Sequence, residues 1–428
     1  MPHVLLTTFG SLGDLHPYIA VGLGLRNRGH RVTIATSEGY RAKVEGEGLG
    51  FRAVRPDIGT LIADPEVMAR AFHPRTGTEY VIRRMFLPYL EQSYRDLLTI
   101  AREADLLVGH PIAFATPIVA EQLGKPWVSV ALQPSVMLSA FDPPSISGLP
   151  WLESFRGCGP GFWRLFFGLG RRVAREWGTP INELRRKLGL PDSRDPVLDG
   201  MFSPFGTQAW FSRVMARPQA DWPMKTAITG FPFYDKLTPG QGLSADLAGF
   251  LDAGPPPVVF TLGSAAVRHA GKFYTESAEA ARTLGCRAVL LIGRDARNAP
   301  NVALPDGVIA AEYAPYSELF PRAAAIVHQG GAGTTAQALR AGVPMCMVPF
   351  SHDQPDNARR CAGLGVARII PRKKYRSARA ANELGRLLSD GNYRTAAQNV
   401  ALGLAREDGI SAACDGMDRT LGDFFGQA

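Results

Sequence analysis

A chain of 428 residues is long enough for about two or three domains, each with a core of its own. Its 46% apolar and 20% charged residues are ordinary for a globular protein and argue against a disordered, fibrous or disulfide-stapled chain. The formal charge of +8 attracts anions without naming them, but no dense Lys/Arg run accompanies it, so nucleic acid is not expected as a partner.

The chain opens with the apolar, β-branched run HVLLTTF, a predicted strand, followed by a loop GSLGDLHP. Apolar residues at helical spacing predict a helix from Tyr18 to Arg28, ended by Gly29, and RVTIAT reads as the next strand. A loop at the carboxyl end of a first parallel strand is where open α/β sheets bind ligands. DLLVGHPIAF reads as strand and loop, PIVAEQLG as helix, and KPWVSVAL as strand. Between about 142 and 225 the alternation blurs. There WRLFFGLGRRVAREW has the pattern of an amphipathic helix, read as a packing face in preference to a weak membrane-surface contact.

Residues 232–257 are rich in Pro and Gly and read as a linker. The alternation then restarts with PVVFTLGS, a helix through EAARTLG, and RAVLLIGR, GVIAAEY, SELFPRA and AAIVHQ. Next comes HQGGAGTTAQALRAGVPMCMVPFSHDQPDN, residues 328–357. Gly330, Gly331 and Gly333 let the backbone turn sharply and expose its amides. Thr334 and Thr335 lead into a helical stretch Ala336 to Ala341, ended by Gly342 and Pro344, and Val343 to Val348 has strand character. A loop feeding a helix amino end suits an anion. The predicted domains are 1–235, 236–405 and a helix over 406–428 whose docking is left open.

Cys158, Cys286, Cys346, Cys361 and Cys414 are scattered and form no CxxC pair, so neither a disulfide framework nor a zinc site is expected, and a reducing cytoplasm fits. The amino terminus is interrupted by Asp14 and lacks a basic leader, so no signal peptide is read there. The uncharged stretches 106–120 and 126–141 are too short to span a bilayer. RRKLGL near 185 and PRKKYR near 371 read as solvated basic faces. GxGxxG after the first strand, GxxxxGK[ST], HExxH, DxD and GxSxG are all missing. Nicotinamide binding, P-loop chemistry, a dedicated metal site and a serine elbow are therefore not expected.

The 328–358 segment resembles the donor-binding signature of the nucleotide-sugar-dependent glycosyltransferases of family 1. TTFGSLGDLHPYIAVGLGLRNRGHRVTIAT is similar to the opening of their bacterial and fungal branch, which includes sterol, antibiotic and rhamnolipid-type enzymes. The match is strongest over 1–36 and 258–370. It implies an α/β, GT-B fold: two Rossmann-like doubly wound domains facing across a cleft, the first for the acceptor and the second for the donor. It also implies transfer, with inversion, from a uridine or thymidine diphosphate sugar, UDP-glucose foremost, with no metal or other cofactor. Phe141, Phe162, Trp163 and Phe166 suggest an apolar acceptor such as a phenolic, sterol, macrolide or hydroxy-lipid.

Carried over position by position, the resemblance puts the donor pyrophosphate on Gly331, Ala332, Gly333 and Thr334, with the Ser264 hydroxyl nearby and Ser11 and Gly13 from the first loop. Gln329 falls where a phosphate-binding His is usual, with His328 just before it, and an amide cannot become cationic. Gln337 falls where relatives use Glu on the ribose, Tyr313 where an aromatic stacks on the base, and Asp353 with Gln354 on the acid-amide pair that binds sugar hydroxyls. The catalytic His and its Asp fall on Asp14 and His110, so acid and imidazole are exchanged. Asp14 either takes the acceptor's proton or orients His110 to do so, and His16 is a third candidate. A GT-B-fold epimerase or hydrolase and a non-catalytic nucleotide-sugar-binding module are the competing readings, and the oligomeric state is left open.

Overall fold

The structure is a computed structural model that describes residues 1–235, 242–300 and 303–426. The chain divides into two units, one of Met1–Pro144, Leu149–Tyr234 and the chain from Glu407, the other of Ser145–Gly148 and Asp235–Arg406.

Apolar runs bounded by Gly and Pro make the strands of the first unit: β1 His3–Thr7, β2 Arg31–Thr36, β3 Gly50–Ala53, β4 Leu106–Gly109, β5 Trp127–Ala131, β6 Thr207–Ala209 and β7 Thr226–Ile228. They pair in parallel in the order β3-β2-β1-β4-β5-β6-β7. The central strands are buried on both faces, which is why Val4, Leu5 and Leu6 and Leu106, Leu107 and Val108 read as continuous hydrophobic runs. The last helix, Gly409–Phe425, adds Ala413, Cys414, Met417 and Leu421 to this core, and Arg28 holds its Asp415 and Asp418 at 2.6 and 2.9 Å.

The second unit repeats the plan with β8 Val258–Thr261, β9 Ala288–Leu291, β10 Val308–Ala311, β11 Ala325–His328, β12 Met345–Met347 and β13 Ala367–Ile369. Their parallel order is β10-β9-β8-β11-β12-β13. Both sheets therefore reverse their winding direction once, between β1 and β4 in the first and between β8 and β11 in the second. Open α/β sheets bind ligands beyond the carboxyl ends of the strands at such a switch. The exits of these four strands are thus the places to look.

Three local expectations change. The first helix spans Leu12–Asn27, so the predicted loop stops at Ser11, and Gly13, Asp14 and His16 lie inside the helix. The cause is a capping box: the Ser11 hydroxyl accepts the Gly13 N–H at 3.3 Å, and the Asp14 carboxylate accepts the Ser11 N–H at 2.7 Å. The region read as a linker contains a helix, Ala245–Asp252, capped by the Ser244 hydroxyl on the Leu247 N–H at 3.2 Å; its residues 236–241 lie outside the described chain. The amphipathic segment is a helix, Gly159–Trp177, but of its residues only Trp163, Phe167 and Ala174 are buried. Among the described residues no helix is long and apolar enough to cross a membrane.

Candidate functional site

At the switch of the first sheet, Thr7 ends β1 and pairs in register with Gly109 at the end of β4. The next residue, His110, donates its backbone N–H to the Thr7 carbonyl at 3.0 Å, which aims its side chain toward the amino end of the first helix. There His110 Nε2 stands 3.5 Å from Asp14 Oδ1, an ion-pair distance. The Ile112 N–H points at His110 Nδ1 at 3.4 Å, so Nδ1 is the acceptor and Nε2 carries the proton that faces Asp14. Asp14 is a third exposed, with Oδ2 held by the Ser11 N–H and hydroxyl and Oδ1 beside the imidazole. Structure and sequence agree in bringing Asp14 and His110 together.

His16 does not join them. It lies two residues beyond Asp14 on a different side of the helix, its ring 4.9 Å from that of Tyr234. Burial, with a smaller push from Lys43, lowers its pKa to about 4, and its Nε2 has no hydrogen-bond partner. His16, expected as a third catalytic candidate, is thus set apart from the Asp14–His110 pair, packed against Tyr234 and kept neutral by burial. A histidine kept neutral in the fold while the unfolded chain protonates near pH 6.5 gives stability that is full above that pH and is lost as pH falls toward 4. His16→Phe should therefore flatten the loss of unfolding free energy between pH 7 and 5, by about 2 kcal/mol at most, with turnover at pH 7.5 unchanged. Urea titrations at the two pH values check this. A large fall in turnover would restore His16 to the chemistry.

At the switch of the second sheet, β11 ends at His328 and runs through Gln329, Gly330 and Gly331 into the helix Ala332–Arg340. The predicted helix start at Ala336 moves forward, so Thr334 sits in the first turn. Gly331 is the N-cap in extended conformation and has no side chain to cap with, and no protein acceptor meets the N–H groups of Ala332, Gly333 or Thr334 among the described residues. Those free amides, with the dipole behind them, form an anion cradle.

The cradle is braced from beneath. Gly330 adopts φ +92°, and a side chain there would meet the Gln354 carbonyl at 3.1 Å. The Gly330 N–H donates to His328 Nδ1 at 3.1 Å, and His328 Nε2 lies 3.1 Å from the Met345 sulfur. His328 is fully buried and burial lowers its pKa to about 3. It is a neutral brace, which corrects its expected place on the donor. Asn357 donates to the Gly330 carbonyl at 2.9 Å and to Asp353 Oδ2 at 2.7 Å, tying the glycine turn to the acid. Asp353 stands at the N-cap of the helix Gln354–Gly363 and is half-buried. Gln354 is buried, its carboxamide oxygen accepting the N–H groups of Phe350 at 2.7 Å and Ser351 at 3.3 Å. Of the acid-amide pair expected to bind sugar hydroxyls, Asp353 is half-buried at the helix start and Gln354 has its oxygen engaged by its own loop.

The neighbouring exit, after β8, closes on the same cradle. Gly263 has φ +65°, and a Cβ there would lie 2.5 Å from Gln329 Nε2 and 3.2 Å from Thr334 Oγ1. Gln329 is thus between the two loops, with an unpartnered carboxamide oxygen. Ser264 follows on the exposed side. Thr261 ends β8 with its hydroxyl 2.8 Å from the Tyr316 hydroxyl. Tyr313, beyond β10, is 59% exposed, as an unstacked aromatic surface would be. Gln337 directs its amide nitrogen to Asp235 at 3.3 Å, and Arg340 pairs with the same carboxylate at 2.6 Å.

Sequence reasoning missed three contributors. Asn357 lay within the quoted motif, four residues past Asp353, and that helical spacing was its signal. Gly263 was hidden in the short TLGS. Arg372, in the run read as a solvated basic face, is instead half-buried over the Phe350 ring at 4.0 Å and donates to the His269 carbonyl at 3.2 Å. The guanidinium is thereby held where the Asp353 loop and the segment after Ser264 meet, although burial lowers its pKa. Among the described residues no group of three or more His, Cys, Asp or Glu could hold a metal ion.

Comparison with known proteins decides the family. Residues 4–141 match the glycosyltransferase family 28 N-terminal domain and residues 284–408 the erythromycin biosynthesis protein CIII-like C-terminal domain. The chain is 34% identical over 424 residues to an O-mycaminosyltylonolide 6-deoxyallosyltransferase of Streptomyces fradiae, covering 96% of each chain. It belongs to the family 1 glycosyltransferases. A sterol 3-beta-glucosyltransferase of Debaryomyces hansenii is 28% identical over 96% of this glycosyltransferase, which spans about a quarter (26%) of that longer protein. Among solved structures, the glycosyltransferase of kitacinnamycin aligns with a TM-score of 0.75 at 22% identity, over 98% of this chain and 100% of that one. The glycosyltransferase VinC in complex with DTDP aligns with a TM-score of 0.70 at 23% identity, over 98% and 100%. These likenesses give the glycosyltransferase its GT-B fold, in agreement with the expectation from sequence.

Proposed function

We propose that the protein moves a hexose from a pyrimidine nucleoside diphosphate, uridine or thymidine, to a hydroxyl of a small apolar acceptor, with inversion and without a metal. The observation that carries this reading is the uncapped amide end of the helix Ala332–Arg340, linked through Gly330 and Asn357 to the Asp353 carboxylate. A diphosphate fits the amides, and a sugar attached to it fits the carboxylate. Ser264, Gln329 and Thr334 add polar groups around the phosphates, Tyr313 offers its exposed ring to the base, and Gln337 offers its carboxamide oxygen to the pentose.

In the reaction the acceptor oxygen forms a bond to the anomeric carbon, and the bond from that carbon to the diphosphate breaks. The acceptor's proton passes to Asp14, and the leaving diphosphate carries away the electron pair. Charge developing on the leaving oxygen is stabilised by the fixed amide dipoles, which need no reorganisation. Asp14 is the better base of the pair because His110 Nδ1 already faces a main-chain donor, leaving the imidazole to hold the carboxylate in place through Nε2–H. A single displacement by one positioned base gives inversion.

Two relatives weigh on the sugar from different sides: one is a 6-deoxyallosyltransferase and the other a sterol 3-beta-glucosyltransferase. UDP-glucose is our first donor, and a thymidine diphosphate 6-deoxyhexose is the second. The test is incubation of the full chain with UDP-glucose, TDP-glucose and a TDP-6-deoxyhexose, with and without a panel of phenols, sterols, macrolide aglycones and hydroxy-fatty acids. Nucleoside diphosphate release and the anomeric configuration of the product are followed. Acceptor-dependent release with inverted linkage is expected. Donor consumed equally without acceptor would mean an epimerase or hydrolase, and donor bound but never consumed would mean a binding module.

A further inference from the structure

The helix Gly159–Trp177 leaves most of its apolar surface uncovered. Leu165, Leu169 and Val173 follow one another at a four-residue spacing and are 68%, 59% and 58% exposed. At about 100° per residue they form one stripe, clear of the side that buries Trp163, Phe167 and Ala174. The stripe continues through the ring of Phe166 to Phe162, whose centroids are 6.4 Å apart. From Phe162 it passes to Phe155 at 5.4 Å and to Trp151, itself 54% exposed. Isolated exposed leucines are unremarkable on any protein, but a connected apolar run of this extent marks an interaction surface.

Charge narrows the choice of what covers it. Arg164, Arg172 and Arg175 on the same helix are exposed, and the Arg164 guanidinium lies over the Phe141 ring at 5.0 Å. Arg172 and Arg175 stand within ion-pair distance of no carboxylate among the described residues, although Arg175 acts at longer range on the buried Asp195, whereas Arg171 is held by Asp199 at 3.3 Å. The helix itself carries one acid, Glu176, and Glu153, between Trp151 and Phe155, is paired with Arg156 at 3.1 Å. A symmetric second copy would bring the same arginines with it and little to neutralise them. Apolar side chains along a helix, aromatic rings at one end and exposed arginines on the same helix are what an anionic bilayer surface accommodates: the first enter the acyl boundary and the last meet phosphate headgroups.

We propose that this face of the first unit docks on an anionic lipid surface, the helix lying in the plane of the membrane, with Leu165, Leu169 and Val173 inserted and Arg172 and Arg175 on the headgroups. The inference is independent of the donor and acceptor reading above, since none of these five residues is placed in the transfer reaction. A surface-bound enzyme would meet apolar acceptors where they concentrate.

The test is co-sedimentation of the full chain with phosphatidylcholine vesicles and with vesicles containing about 30 mol% phosphatidylglycerol. Binding to the anionic vesicles is expected at least tenfold tighter, and weakened by salt. The double change Leu165→Asp with Leu169→Asp should lower it more than tenfold. Arg172→Glu with Arg175→Glu, which leaves the apolar stripe intact, should lower it about fivefold or more per arginine. Unfolding midpoints and release of nucleoside diphosphate with a water-soluble acceptor should be unchanged in both. Equal binding to both vesicle types, or none, overturns the proposal. So does a concentration-dependent dimer abolished by the leucine changes, which would assign the face to a second copy. A raised acceptor KM with vesicle binding unchanged would assign it to the acceptor wall.

Discussion

Asp14→Asn should turn over acceptor about a thousandfold more slowly than the parent chain, within the 10²–10⁴ range that a positioned general base contributes, while the affinity for donor stays unchanged. Asparagine keeps the shape of the side chain, and its carboxamide oxygen can still accept the Ser11 N–H that Asp14 accepts at 2.7 Å, so the amino end of the first helix survives. What is removed is the basic oxygen that stands 3.5 Å from His110 Nε2. His110→Gln should have a smaller effect, about tenfold, because the Asp14 carboxylate remains and loses only its alignment. The pH dependence of the residual rate separates the roles. If His110→Gln silences the enzyme and Asp14→Asn leaves most of the rate, the imidazole is the base and the assignment is reversed.

Ala332→Pro addresses the donor side through the main chain alone. Ala332 is the first residue of its helix, where proline is well tolerated because the N–H has no partner within the helix. Gly331 before it already has φ −63° and ψ 147°, the extended conformation that a following proline requires. The exchange thus deletes one amide of the cradle and leaves the fold in place. A hydrogen bond to a charged group contributes about 1.5–3 kcal/mol, so nucleoside diphosphate should bind roughly ten- to a hundredfold more weakly, read by calorimetry, with the thermal midpoint shifted little. Undiminished affinity in a folded variant would show that the diphosphate is not held by this helix end.

Much of the plan was visible in the amino-acid order because strands buried on both faces are written as unbroken apolar runs, and HVLLTTF, DLLVGHP, PVVFTLGS and AAIVHQ end where the two switches lie. The pairing of Asp14 with His110 came from the family resemblance, since 96 residues separate them and no local spacing relates them. Orientation at single positions was not legible. His328 and Gln329 are adjacent in sequence, yet the first turns inward beneath Gly330 and the second toward Gly263. Asp353 and Gln354 diverge in the same way, because the helix that begins between them carries one side chain outward and the other onto the amides of its own loop. An amphipathic pattern says that a helix has two faces and not which face the protein covers. For that reason the pattern of Gly159–Trp177 alone favours a packing surface, whereas the structure leaves its apolar stripe exposed. The helix Ala245–Asp252 was missed because the glycines and prolines around it dominated the composition of its neighbourhood.

One consequence follows from the register of β1 against β4. Thr7 and Gly109 are cross-strand partners, so the segments leaving them start side by side, about 4.8 Å apart, the ordinary spacing of neighbouring strands. A carboxylate on one segment and an imidazole on the other can exchange positions without displacing either backbone. The order of acid and base along the polypeptide is therefore free to vary while their spatial partnership is kept, and a chain that presents aspartate first and histidine second needs no rebuilding of its sheet to do the same work as one that presents them in reverse.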